Sequence, residues 1–168
     1  MQHEYTYDVS MFRDTFETRF TYLNGFLRNV SRFGTRPALH DPLSGRRWTY
    51  RELNAEANRL AHALRADGVG KNDVVMFALL NSPEFVFCYL AAHKIGAIAC
   101  PVNYRQGAGE IALVIDDSRP KAFFYDAEFG ELSGGALELC GHKPQTVVMV
   151  DYKGDAAAPS GHTLYQDY

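Results

Sequence analysis

The sequence predicts an α/β domain, a parallel sheet flanked by helices, with a short antiparallel hairpin near residues 37–49. Three observations predict it. Residues 74–80 form a continuously apolar run, and 98–102, 122–125 and 146–150 repeat the pattern, as strands covered on both faces should. Stretches with helical start and stop signals separate these runs. The resulting order of strand, helix and strand is that of crossovers between parallel strands.

Each element has its own justification. Phe12, Phe16, Phe20, Leu23 and Leu27 recur in steps of four, four, three and four, one face of a single helix over 11–33 that Gly34 stops. Residues 37–41 and 46–48 read as two strands around the turn Pro42-Leu43-Ser44-Gly45. Thr49-Tyr50-Arg51-Glu52 fits a capping box, in which the hydroxyl accepts an orphan backbone N–H and the carboxylate reaches back. Behind it Leu53, Ala57, Leu60, Ala61 and Leu64 form the apolar face, opposite Glu56, Arg59 and Arg65, and Asp67-Gly68 closes the helix. Ser82 caps the next helix, with Pro83 at its first position and Gly96 past its end. Its residues Phe85, Val86, Phe87, Leu90 and Ala91 are apolar nearly all round, so it is expected to be the most buried. Residues 110–118 predict a short helix. Residues 127–139 predict another, weakened by Gly130, Gly134 and Gly135. Residues 151–162 read as an exposed linker, and 163–168 as the start of a helix that is cut short.

Composition narrows the function classes. The chain has 168 residues, a net charge of −3, 46% hydrophobic and 22% charged residues, an ordinary balance for one soluble domain. A nucleic-acid footprint would need a basic patch or stripe, and there is no lysine or arginine run. Cys88, Cys100 and Cys140 form no C-x-x-C pair and read as small buried hydrophobes in a reducing compartment. Residues 1–10 are polar, without an export signal, and no apolar run is long enough to span a bilayer. The expected location is the cytoplasm.

Two glycine motifs resemble nucleotide sites. Gly107-Ala108-Gly109-Glu110-Ile111-Ala112, with Asp126 about 20 residues on, matches the dinucleotide fingerprint, and a dinucleotide-binding module is the alternative reading. Against it, Asn103-Tyr104-Arg105-Gln106 separate the glycines from the strand, whereas the fingerprint needs its first glycine at the strand end. Gly70-Lys71 lacks the earlier glycine of a P-loop, has Asn72 in place of Ser or Thr, and runs from helix to strand, the wrong way round. Ser44, Ser133 and Ser160 form no nucleophile elbow, and His40, His62, His93, His142 and His162 lack ligand spacing. No catalytic, cofactor-binding or metal-ligating residue is assigned, and a stand-alone scaffold domain is a further alternative.

Three stretches resemble the adenylate-forming, AMP-binding enzymes. Arg36-Pro37-Ala38-Leu39 followed by Trp48-Thr49-Tyr50-Arg51-Glu52-Leu53 is similar to a strand leading into a "TY-x-EL" helix. Gly68-Val69-Gly70-Lys71-Asn72-Asp73-Val74-Val75 resembles "GV-x-x-GD-x-V", with Asn72 in the usual glycine place. Asn81-Ser82-Pro83-Glu84-Phe85, then Lys94-Ile95-Gly96-Ala97-Ile98-Ala99-Cys100-Pro101-Val102-Asn103, resembles "K-A-G-A-x-x-x-P-x-N", with Ile95 where alanine is common. The resemblance covers roughly 30–150. It implies the amino-terminal part of an ATP-, CoA- and Mg²⁺-dependent acyl-CoA ligase, acting on a fatty or other hydrophobic acid through an acyl-adenylate. It also implies a division into an amino-terminal helical segment (1–34), an α/β subdomain (35–150), and a linker with a truncated helix start (151–168). The family's Pro-Lys-Gly phosphate loop has only a trace at Ser160-Gly161-His162-Thr163, so the chain alone is expected to be inactive and to bind no cofactor. Its partners are then the remainder of the enzyme and, through bared apolar surface, other copies of itself.

Overall fold

The computed structural model describes residues 8–168; residues 1–7, most of the start read above as carrying no export signal, lie outside them. The long first helix is in fact broken. α1 (Val9–Phe12) runs into a π-helical stretch, Arg13–Arg19, and the helix ends at Phe20. Thr21 then starts α2 (Tyr22–Phe33), its Oγ1 accepting from the Asn24 N–H at 3.2 Å. The Asn24 amide in turn donates to the Thr18 carbonyl at 2.6 Å, satisfying an acceptor that the break leaves open. Phe12, Phe16 and Phe20 pack against one another with tilted rings, centroids 4.8 and 5.4 Å apart, and stay exposed instead of facing the core. Only from Leu23 onward does the apolar face pack inward, with Phe26 buried.

β1 (Pro37–His40) and β2 (Arg47–Thr49) make the expected hairpin, with Leu39 opposite Trp48 and His40 opposite Arg47. Asp41 organises its turn, accepting from the Leu43 N–H and the Ser44 hydroxyl, while Gly45 takes φ +72°. The capping box of α3 (Tyr50–Ala66) forms as predicted: Glu52 N–H donates to Thr49 Oγ1 at 3.3 Å, and Thr49 N–H donates to Glu52 Oε2 at 2.8 Å. The five predicted apolar residues of α3 are all buried.

The main sheet then builds through β3 (Val74–Ala78), α4 (Pro83–Ile95), β4 (Ile98–Pro101), α5 (Ala108–Ser118), β5 (Ala122–Asp126), α6 (Gly130–Leu139) and β6 (Thr146–Val150). Its order is β4-β3-β5-β6-β7, parallel throughout. The fifth strand corrects the reading of the last residues. Thr163–Leu164 is β7, pairing with Val148 and Met149, and only Tyr165–Asp167 makes a turn of 3₁₀-helix. An unpaired edge of β6 offers ladder partners, and these outweigh the weak helical preference of a six-residue tail.

Strand side chains alternate faces, so the sheet divides the interior in two. Val75, Phe77, Phe124, Val148 and Val150 pack under α3 and α4, while Met76, Ala78, Phe123, Tyr125 and Met149 pack under α5 and α6. The topology requires this: the step from β3 to β4 and the step from β4 back to β5 run in opposite directions, so crossovers of one hand lay α4 and α5 on opposite faces. α4 is buried over most of its length, as its all-round apolar pattern predicts. Among the described residues no helix is long and apolar enough to cross a membrane.

Candidate functional site

The chain reverses its direction of travel across the sheet between β3 and β5. In open parallel sheets the crevice beyond the carboxyl ends of such strands is the usual ligand site. Here it is formed by the start of α4, the residues after β5 and β6, and the hairpin turn, which enclose a cleft of about 640 Å³ lined by Ser82, Glu84, Glu128, Asp151 and Tyr152 among others. Each group is placed by local structure. Ser82 caps α4, accepting from the Phe85 N–H at 3.2 Å, and Pro83 starts the helix without an N–H. Glu84 in the first turn is 6% exposed and is reached by the Arg46 guanidinium from the hairpin, 3.3 Å from its Oε1.

Asp126 ends β5 almost completely buried. Its Oδ1 accepts from the Glu128 N–H at 3.1 Å, and its Oδ2 has no partner. Burial raises its pKa above the usual carboxylate range, and the neighbouring charges of Glu128 and Asp151 push the same way. Asp151 shows the opposite balance: backbone N–H groups, Ala156 first among them, hold it low. Beside them the Tyr125 hydroxyl meets His162 Nδ1 at 2.7 Å, and burial pushes the phenol up to about 12 and the imidazole down.

The fingerprint glycines do not join this site. β4 ends at Pro101 and α5 starts at Ala108, so Gly107 stands away from the strand end. Its N–H is taken, at 2.8 Å, by the carboxylate of Glu110, which also places a negative charge where a pyrophosphate would need to sit. The Gly70 N–H is likewise taken by Asp73, which pairs with Lys121 at 2.9 Å. Among the described residues no three His, Cys, Asp or Glu side chains are grouped to hold a metal ion. Near the two helix starts, the Phe85 N–H of α4 and the Gly107 N–H before α5 are already taken by Ser82 and Glu110. Cys88 and Cys140 are buried, as read from sequence, whereas Cys100 is only partly so. The pairing of Glu84 with Arg46, and that of Tyr125 with His162, had no signal in the sequence. The partners lie 38 and 37 residues apart and meet only when the sheet has formed.

The model of the family described as AMP-binding enzyme matches residues 26–165. The chain belongs to this family. A relative described as 3-hydroxybenzoate–CoA/4-hydroxybenzoate–CoA ligase, from Thauera aromatica, is 44% identical over 115 residues, covering 67% of this chain and 21% of the relative. A long-chain-fatty-acid–CoA ligase of Mycobacterium tuberculosis is 40% identical over 87 residues, covering 52% and 17%. The solved structure of a Mycobacterium tuberculosis fatty acyl CoA synthetase superposes with a TM-score of 0.70 at 28% identity, covering 89% of this chain and 27% of that one. The chain spans about a fifth of the length of the curated relatives it matches. The motifs of this chain that resemble the family pattern have structural work to do. Thr49 and Glu52 cap α3, and Gly96 ends α4 at φ +74°. Asn72, in the usual glycine place, takes φ +68°, a left-handed conformation that asparagine tolerates better than most residues.

Proposed function

We propose that this chain is the amino-terminal part of an ATP-dependent acyl-CoA ligase, which joins a carboxylic acid to AMP and passes the acyl group to CoA. The match of the AMP-binding family to residues 26–165 carries this reading. Relatives described as acting on hydroxybenzoates and on long-chain fatty acids support a hydrophobic acid as substrate. ATP, CoA and Mg²⁺ are the cofactors of the whole enzyme, acting in the cytoplasm. This chain supplies the walls: residues 1–34 as a helical segment, 35–150 as the α/β subdomain, and 151–168 as the connection onward. Attack on the α-phosphate builds charge on oxygens that must be met by donors and a metal placed in advance. The Phe85 and Gly107 N–H groups are already taken by Ser82 and Glu110, so these donors are expected from the remainder of the enzyme.

The test is a pair of measurements. The 168-residue chain, given ATP, Mg²⁺ and a panel of benzoates and fatty acids, is expected to release no pyrophosphate. The longer product of the same gene is expected to release pyrophosphate in an acid-dependent way and to form the CoA thioester. Turnover by the short chain, or none by the long one, overturns the proposal.

A further inference from the structure

A second, smaller pocket of about 270 Å³ lies between the end of β2, α4 and the 151–166 stretch. One wall is aromatic: Trp48 and Phe87 meet edge-on, with centroids 5.5 Å apart. The other is acidic, carrying Glu56, Glu84 and Asp151. The cations nearby are already engaged. Arg46 lies over the Trp48 ring at 5.1 Å and pairs with Glu84 Oε1, and Arg59 pairs with Glu56 at 3.3 Å and covers the Tyr165 ring. Asp151 accepts from the Lys153 and Ala156 N–H groups, with no side-chain cation on it.

Two polar atoms in this lining are left over. The Glu84 side chain is 7% exposed, and its Oε2 is buried without a hydrogen-bond partner. The Tyr165 hydroxyl is buried and unpartnered too. Buried polar atoms are nearly always paired, so two such orphans in one pocket point to an occupant with donors. Water would supply donors, but it would leave Asp151 without a counter-charge, since Arg46 answers Glu84 and not Asp151.

We propose that this pocket binds the ammonium or guanidinium head of a small organic cation. Glu84 Oε2 and the Tyr165 oxygen accept its N–H groups, and Trp48 and Phe87 line its carbon stem. The inference is independent of the ligase reading and survives if that reading fails.

Trp48 is the single tryptophan of the chain, so its fluorescence reports on the pocket directly. Titrating the 168-residue chain with n-butylammonium chloride and with n-butylguanidinium chloride is expected to give a saturable change with at least one of them. Sodium chloride at the same ionic strength, and n-butanol, which keeps the stem and removes the charge, are expected to give none. Glu84→Gln is expected to weaken binding about tenfold. Because Glu84 also holds Arg46, Tyr165→Phe is the second variant, expected to weaken binding about threefold through the hydroxyl alone. A silent titration with both cations means that the pocket holds water only, and overturns the proposal. So does an equal response to n-butanol, or an affinity unchanged by Tyr165→Phe.

Discussion

His162 has a place that depends on its charge. Its Nδ1 meets the Tyr125 hydroxyl at 2.7 Å, and burial holds the imidazole below its ordinary value of 6.5. A depressed folded-state pKa means that the unfolded chain takes up the proton first as pH falls. Stability is therefore fully present above about pH 6.5, and is lost as pH falls from there through the folded-state value. Thermal melting from about pH 7.5 down to about pH 5.5 is expected to show a steeper fall in midpoint for the native chain than for His162→Gln. Parallel curves would mean that the histidine carries no such dependence. At the same scale, Asp67 binds the end of the chain: its carboxylate accepts from Thr146 Oγ1 at 2.8 Å and from the Tyr168 hydroxyl at 2.9 Å. One side chain thus ties the last residue to the end of α3, across 101 positions of sequence.

Helices and strands show how far local chemistry reaches. Gly96 ends α4 at φ +74°, where a Cβ would come 3.4 Å from Lys71 Cγ. The lysine stem can yield, so the strained backbone sets the penalty. Gly96→Ala is expected to cost about 1–2 kcal/mol in urea unfolding, with an unchanged slope; a smaller effect would mean that the helix end rearranges. This stop, the Thr49–Glu52 box and the α3 face were legible in sequence because each is decided by residues within a few positions of one another. The break at Thr21 was not. Steps of four suit both an α-helix and a π-helix, so the spacing of Phe12, Phe16 and Phe20 could not tell them apart. β7 was hidden for a different reason: Thr163–Leu164 owes its conformation to Val148 and Met149 of β6 rather than to its own residues. The acidic pocket was illegible in the same way. Nothing near Pro83 in sequence shows that Arg46 arrives from the hairpin or Tyr165 from beyond β6. Asp126 stood out in sequence only as the acid of a fingerprint whose glycines the fold places away from it; in the structure it ends β5.

Among the described residues, the longest run of exposed apolar side chains in sequence lies in the N-terminal segment. Phe16, Phe20 and Tyr22 are 52%, 61% and 61% exposed, on and beside the π-helical stretch. Contiguous apolar patches of this kind drive association. The chain is expected to sediment as more than a monomer at high concentration, and a Phe16→Ser, Phe20→Ser double variant is expected to shift it back toward the monomer. Light scattering that finds a strict monomer in the native chain would refute this. The sheet, meanwhile, keeps two oily compartments apart, and they are not matched in quality. The layer of α3 and α4 is closed by long apolar side chains, whereas α6 brings Gly130, Gly134 and Gly135 and leaves Leu139 exposed. Under deuterated solvent the two halves should therefore exchange at different rates, with the amides of α5 and α6 labelling before those of α3 and α4, so that the protein softens from one side first.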